Sequence, residues 1–391
     1  MTPPVRIWVT GLGAVTPYGA GVDRLWQGLL RGESGISDFD RFDLGGLACT
    51  RGGQIRGYTP PTRPGQPALD LATGFAWGAS LEALEQAGGG TDDLGLVTAS
   101  NFGALDEGER ALAGEAPATA LAACAQDTTT RRLAAGLALG GPTATLSLSC
   151  AASAAALAHG ASLLRAGRAA RLLVVGYDAL SRCAWSGLCS LRTMTRDRVR
   201  PFDLNRSGTL FSEGACALLL ERDDVCRARG GRPLAELRGW ATGNNGFHMT
   251  APPARAAGSA DVMRRAIAGA GLTPADVDHV NAHGTGTKAN DLTEAQALED
   301  LFGPRAARLP VTANKGAVGH LLGAAGGIEA MVSILSLREG VIPPTLHFET
   351  PDPEARVDLV TGAPRTVSLK CVLSNSAGFG GCNAAVLFTP A

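Results

Sequence analysis

No C-x-x-C pair occurs among the nine cysteines (Cys49, Cys124, Cys150, Cys183, Cys189, Cys216, Cys226, Cys371 and Cys382), which argues against a zinc module or a dithiol redox centre. Their odd number, in a chain of 391 residues, suits a reduced, cytoplasmic protein. Charge of one sign is also lacking. With 35 basic and 36 acidic residues the formal net charge is -1, so neither a polybasic nucleic-acid surface nor an acidic tail is expected. Residues 1–7 hold two prolines and no apolar stretch, so no signal peptide is expected. The longest apolar run, 321–337, is interrupted by Glu329 and rich in glycine; it reads as a buried helix rather than a membrane span. Aromatics are scarce, at 5%. What is abundant is small and apolar: 52 glycines within a chain that is 45% hydrophobic, enough for a large, closely packed core.

Three passages of the first half have echoes in the second. Residues 81–88 and 262–271 each read as a helix stopped by glycine, then an acidic turn, then a short strand at 94–99 and 279–282. Residues 145–149 alternate like a strand, meet Cys150 and lead into an alanine-rich helix over 151–166; residues 311–313 lead through a glycine-punctuated loop and His320 into a helix ending at Gly340. A closing strand follows in each half, at 215–221 and 384–388. Repeated β-α-β order predicts two similar α/β halves, 1–238 and 239–391, with a join near 235–245 and no linker.

Cys150 falls where a strand runs into a helix. Unpaired N–H groups at a helix start favour thiolate, and small neighbours admit a substrate, so the position suits a nucleophile. A buried structural role is the ordinary alternative for a free cysteine. Only six histidines occur. His283 lies in Asn281-Ala282-His283-Gly284-Thr285-Gly286-Thr287, just past a strand, and His320 follows Gly319 at the start of a helix. A helix N-terminus disfavours imidazolium, which predicts a neutral ring able to donate one N–H to an oxyanion. Either histidine alone could equally be a hydrogen-bonded core residue. Glycines flank Phe379 on both sides, so the turn can move and expose its amides; an ordinary turn before the last strand is the plainer reading.

Taken in order, these segments resemble the β-ketoacyl-acyl carrier protein synthases, in particular the elongating type II enzymes and type II polyketide ketosynthases. The resemblance is carried by Val9-Thr10-Gly11-Leu12-Gly13-Ala14-Val15-Thr16-Pro17, by Pro201-Phe202-Asp203 with Ser207-Gly208 and Glu213-Gly214-Ala215, and by the stretches 281–287, 314–327 and 375–383. It covers nearly the whole chain, with a shortened stretch around 101–125. It implies a thiolase-type fold, two pseudo-symmetric α/β halves in five layers (αβαβα). It implies decarboxylative condensation of an acyl group on Cys150 with malonyl-acyl carrier protein, with His283 and His320 stabilising the enolate and one of them activating water against the departing carboxyl carbon. By the same resemblance the amides of Cys150 and Phe379 form an oxyanion hole, and Phe379 gates the cysteine. Lys315 and Glu329 would support the histidines, and Thr285 and Thr287, with Gly380 and Gly381, would line the substrate channel. No metal and no bound cofactor is implied; substrates ride on the 4′-phosphopantetheine arm of an acyl carrier protein. The implied partners are that carrier and a second subunit, either identical or a homologous chain-length factor, with no nucleic acid and no membrane.

The chain departs from the family pattern in places. The usual Thr-Ala-Cys is Leu148-Ser149-Cys150, and Lys315-Gly316-Ala317-Val318-Gly319-His320 lacks the usual Ser and Thr. Ala377 replaces the first of two phenylalanines, which loosens the expected gate. Residues 126–132 are polar where an acyl pocket and dimer face tend to be apolar and would be poorly placed in the core of a single chain, which predicts a dimer with 101–140 near the interface; 63–70 are less basic than the usual carrier-protein patch. These departures bear on substrate and partner, and favour a specialised polyketide or polyene pathway over housekeeping fatty-acid synthesis. Two rival readings remain. A degradative thiolase adds a second cysteine as base, which Cys382 suggests, and would release coenzyme A from acetoacetyl-CoA; yet a thiolase would not be expected to carry both His283-Gly284-Thr285 and Lys315, so Cys382 reads as a small packing residue. A chain-length factor lacks the cysteine and would take up no acyl group; Cys150, His283 and His320 argue for an active chain.

Overall fold

The structure, a computed structural model, describes residues 5–61 and 68–391. Part of the N-terminal stretch 1–7 and most of the stretch 63–70 therefore lie outside the described residues.

Strand Ile7–Thr16 is buried along its whole length and pairs antiparallel with Gly214–Arg222. Beyond it follow Arg171–Asp178, antiparallel, then Leu94–Ala99 and Thr143–Leu146, both parallel. The second half repeats this order. Ala235–Asn244 pairs antiparallel with Cys382–Thr389, which pairs antiparallel with Val372–Ala377; His279–Asn281 and Pro310–Thr312 then add in parallel. The two sets meet where Trp8 and Val9 face Glu236 and Ala235. The echoed passages of the sequence thus occupy matching places in a duplicated frame, and the thiolase-type fold is observed.

Helices fill the layers for readable reasons. Asp70 caps helix Leu71–Ala87 by accepting from the Thr73 amide at 2.8 Å, and Gly88 ends it in a left-handed conformation. This helix lies directly on the first strand. A Cβ at Gly13 would meet the Ala79 carbonyl oxygen at 1.9 Å, so only glycine permits that approach. Helix Ala257–Gly269 covers Ala235–Asn244 from the opposite outer side. Between the two sheet halves lie Ala152–Arg165 and Ala325–Glu339, packed on each other and on strands of both halves. The second is buried around its whole circumference up to Leu337, as a central helix must be. The apolar run 321–337 is therefore a core element, and no helix among the described residues is long and apolar enough to cross a membrane.

Two local expectations need correcting. The strand before the cysteine ends at Leu146 rather than Ser149, and Ser149–Ala151 form a tight 3-10 turn. The polar run 126–132 is not misplaced within a single chain. Thr128, Thr129 and Thr130 are buried at the start of helix Thr128–Gly136, where Thr129 bonds Thr73 at 2.8 Å and Thr130 bonds Thr98 and Thr145 at 2.6 Å each. Arg132 pairs with the Asp70 carboxylate. Each buried hydroxyl finds a partner, so their polarity carries no penalty.

Candidate active site

Cys150, His283 and His320 converge on one cavity of about 150 Å³, reached from different strand ends. Cys150 sits in the turn that follows Thr143–Leu146, His283 two residues beyond His279–Asn281, and His320 after the short helix Lys315–Val318. The two imidazoles stand edge to face with centroids 5.6 Å apart. Thr285, Thr287, Phe379 and Gly381 also line this cavity, and Glu294 closes its floor. Gly380 does not line it; its amide instead donates to the Met249 carbonyl at 2.6 Å.

A second cavity of about 330 Å³ lies on the other side of the cysteine, lined by Asn101, Phe102, Leu188, Leu191, Phe211 and Leu322 among others. Cys150 and Phe379 belong to both cavities, so the ring stands at their boundary. Phe379 opens a turn in which Gly380 and Gly381 both have left-handed backbones, at φ 77° and 78°.

The hydrogen-bond pattern sets the protonation of both histidines. The Leu322 amide donates to His320 Nδ1 at 3.0 Å, so that nitrogen is the acceptor and the proton resides on Nε2. Lys315 Nζ lies 3.2 Å from His283 Nδ1 and 2.5 Å from its carbonyl oxygen. An ammonium can only donate, so His283 too carries its proton on Nε2. Burial, then the Lys315 charge, hold both rings well below the ordinary histidine range; His320 depresses His283 further. Both are therefore neutral donors near pH 7. The neutrality expected for His320 holds, but for another reason. The long helix begins only at Ala325, so burial and Lys315, not a helix terminus, keep the ring uncharged.

A similar correction applies to the cysteine. Burial pushes the Cys150 thiol up, outweighing the Ser149 hydroxyl, the Lys315 charge and the Phe379 amide, which pull it down. Lys315 and Glu329 form a buried ion pair beneath His283, outside the cavity wall. Burial raises the Glu329 carboxyl to about 7 against the pull of the lysine. Cys382 does not line the cavity; half-buried, it packs beside Ala151, Ala154, Ala155 and Ala384.

Sequence reasoning missed two acids that hold the site's loops. Glu294 accepts from the His283 and Gly284 amides at 2.8 and 2.9 Å and from Asn375 Nδ2 at 2.7 Å. A signal existed: Asp291 and Glu294 share a helical face with Ala295, Leu298 and Leu301, acids on an otherwise apolar stripe. Asp178, at the end of its strand, accepts from Ser100 Oγ at 2.6 Å, the Phe102 amide at 2.9 Å and the Gly323 amide at 2.6 Å. Its partners come from two separate segments, 100–102 and 323, and nothing in the local sequence announces it.

Comparisons with known proteins identify the family. The family model described as "Beta-ketoacyl synthase, N-terminal domain" matches residues 5–225, and the C-terminal domain model matches 234–349. A 3-oxoacyl-[acyl-carrier-protein] synthase 2 of Synechocystis is 32% identical, over 98% of this chain and 97% of its own. Among solved structures, the ishigamide ketosynthase/chain length factor aligns with TM-score 0.92 and 31% identity, over 99% of this chain and 100% of that one. The ketosynthase of AntDE:AntF, a complex with its type II polyketide acyl-carrier protein, aligns with TM-score 0.89 and 25% identity, over 99% and 100%. With both domain models matched in order across most of its length, the chain belongs to the β-ketoacyl synthase family of acyltransferases.

Proposed function

We propose that this chain is a β-ketoacyl-acyl carrier protein synthase, with Cys150, His283 and His320 as its catalytic residues. One observation carries the reading: a cysteine at the junction of two cavities faces two histidines, both held neutral with Nε2–H free to donate. In the first half-reaction the Cys150 sulfur attacks an acyl thioester held on the pantetheine arm of a carrier protein. The sulfur–carbon bond forms, the carrier's carbon–sulfur bond breaks, and the acyl chain enters the apolar cavity beside Phe102, Leu188 and Leu191. The arm occupies the other cavity, past Thr285 and Thr287, and the amides of Cys150 and Phe379 receive the oxyanion.

Malonyl-acyl carrier protein then follows through the same cavity. Its carboxyl leaves and the bonding pair moves onto the thioester as an enolate, whose oxygen the two Nε2–H groups stabilise. Preorganised donors of this kind, shielded from water, are worth more than the same groups in solution. The enolate carbon attacks the Cys150 thioester, the new carbon–carbon bond forms and the thiolate departs. The N-terminal half, 1–238, would supply the nucleophile and the C-terminal half, 239–391, the histidines. Lys315 and Glu329 position His283 rather than touch substrate.

The polar and shortened features of the chain favour a specialised polyketide or polyene pathway in the cytoplasm. A dimeric unit is proposed as well, with an identical subunit or a chain-length factor. Among the described residues, strand Thr143–Leu146 ends the sheet with one edge unpaired, which supports a subunit joining there. Intact-mass analysis with a panel of acyl-acyl carrier proteins tests the assignment. The acyl increment should appear on the native chain and vanish in Cys150→Ala with β-ketoacyl product. Product formation at near native rate by that variant would refute it.

A further inference from the structure

We propose that Ser149 is a catalytic residue of acyl transfer: its hydroxyl donates a hydrogen bond to the Cys150 sulfur and stabilises the thiolate that takes the acyl group. This rests on Cys150 being the nucleophile. Ser149 Oγ lies 3.9 Å from Cys150 Sγ, and this is the hydroxyl's only hydrogen bond among the described residues. Both residues line the acyl-side cavity, so the hydroxyl and the thiol share one space.

The backbone strengthens the argument. Ser149 has φ 52°, a left-handed conformation that glycine adopts freely and other residues rarely do. A strained residue held beside a nucleophile is an observation that points to function. The strain is maintained from above: a Cβ at Gly378 would meet the Cys150 amide nitrogen at 3.0 Å and the Ser149 Cβ at 3.1 Å, so the gate turn sits directly on this pair. The side chain is thereby aimed along the same wall as the sulfur.

The chemistry needs such a donor. Cys150 is buried, which disfavours its charged form, while the Ser149 hydroxyl and the Phe379 amide favour it. Where the family motif carries alanine, this chain has a hydroxyl. When the thiol gives up its proton, the hydroxyl closes on the negative sulfur and keeps its own proton throughout. The thiolate attacks the thioester carbonyl carbon, the Cys150 sulfur–carbon bond forms, and the pantetheine sulfur leaves with the bonding pair and takes up a proton. The hydroxyl is then free beside the new thioester.

The test is the pH dependence of Cys150 alkylation by iodoacetamide, followed by intact mass on the full-length chain, for native protein, Ser149→Ala and Ser149→Gly. Alanine removes the hydroxyl and keeps the strained backbone; glycine removes both. The alkylation midpoint should rise by about one pH unit in both variants, with alkylation about tenfold slower at a fixed pH below the midpoint. Acyl transfer from acyl-acyl carrier protein should slow in parallel. An unchanged midpoint in both variants overturns the proposal. So does a shift in glycine alone, which would assign the effect to backbone shape. If Cys150 of the native chain is alkylated at no pH while another cysteine takes up acyl groups, the nucleophile assignment itself has failed, and the role of Ser149 with it.

Discussion

Replacing Lys315 by methionine removes the ammonium packed against Glu329 and keeps much of the volume of the side chain. The Glu329 carboxyl is 2% exposed and sits at about 7 even with the lysine in place. Breaking a buried pair by deleting one partner typically costs about 3–5 kcal/mol, because the remaining charge is uncompensated. Here protonation relieves part of that cost, which makes the penalty depend on pH. A folded-state pKa above the ordinary carboxylate value of 4.5 means that the folded chain binds the extra proton. Stability from this group is then full below 4.5 and is lost as pH rises towards the folded value, at about 1.4 kcal/mol per unit. In the native chain the decline stops near pH 7. Without the lysine's downward pull the folded value rises further, so the decline continues to higher pH. Between pH 6 and 8 the variant therefore loses more stability from this group than the native chain does. The gap between native and Lys315→Met should therefore widen from pH 6 to pH 8, by on the order of 1 kcal/mol, measured by urea unfolding at the two pH values. Adding Glu329→Gln should abolish the widening. An equal penalty at pH 6 and pH 8 would show that Glu329 does not titrate as the geometry requires.

Three further outcomes follow from the site. His283→Ala and His320→Ala should each leave Cys150 acylation measurable while slowing malonyl decarboxylation by roughly 10²–10³, the cost of one lost oxyanion donor; equal loss of both steps would count against the division of roles. Phe379→Ala should raise the ratio of acetyl- to β-ketoacyl-acyl carrier protein formed from malonyl substrate, because the ring stands between the two cavities; an unchanged ratio with normal acylation would reduce it to a turn residue. Sedimentation of the active protein should show a dimer, and a catalytically competent monomer at assay concentration would refute it. Copurification of a stable complex with a cysteine-less homologue would instead identify the pair as mixed.

Much of the site was legible in the sequence because its parts sit at chain positions with strong local signals. Cys150 stands before an alanine-rich helix, His283 and His320 lie among glycines, and Phe379 is bracketed by them. The duplication was legible for the same reason, since helix, glycine stop and strand repeat in order. What escaped depends on tertiary contact. Asp178 gathers amides from 102 and 323, and no local pattern foretells such a meeting. The threonines at 128–130 looked misplaced because their polarity was visible and their hydroxyl partners at 73, 98 and 145 were not. The charge states of Cys150 and His320 were argued from helix ends, a local feature, whereas burial, a property of the whole fold, decides them.

The duplicated frame explains why the chemistry is nonetheless concentrated. Thr143–Leu146 and Pro310–Thr312 hold matching places in the two halves, and each leads into one of the paired central helices. The segment after the first carries Cys150 and the segment after the second carries His320. Likewise Leu94–Ala99 matches His279–Asn281: beyond one lies the acyl-cavity wall at Asn101 and Phe102, beyond the other His283. Arg171–Asp178 matches Val372–Ala377, and their ends supply the Asp178 anchor and the Phe379 turn. Duplication brings the ends of corresponding strands to a shared centre, and divergence at those ends gives each a separate task. A proposed nucleophile and its proposed oxyanion donors can thus be far apart in the chain and still meet at the ends of buried strands, which is what preorganised catalysis requires.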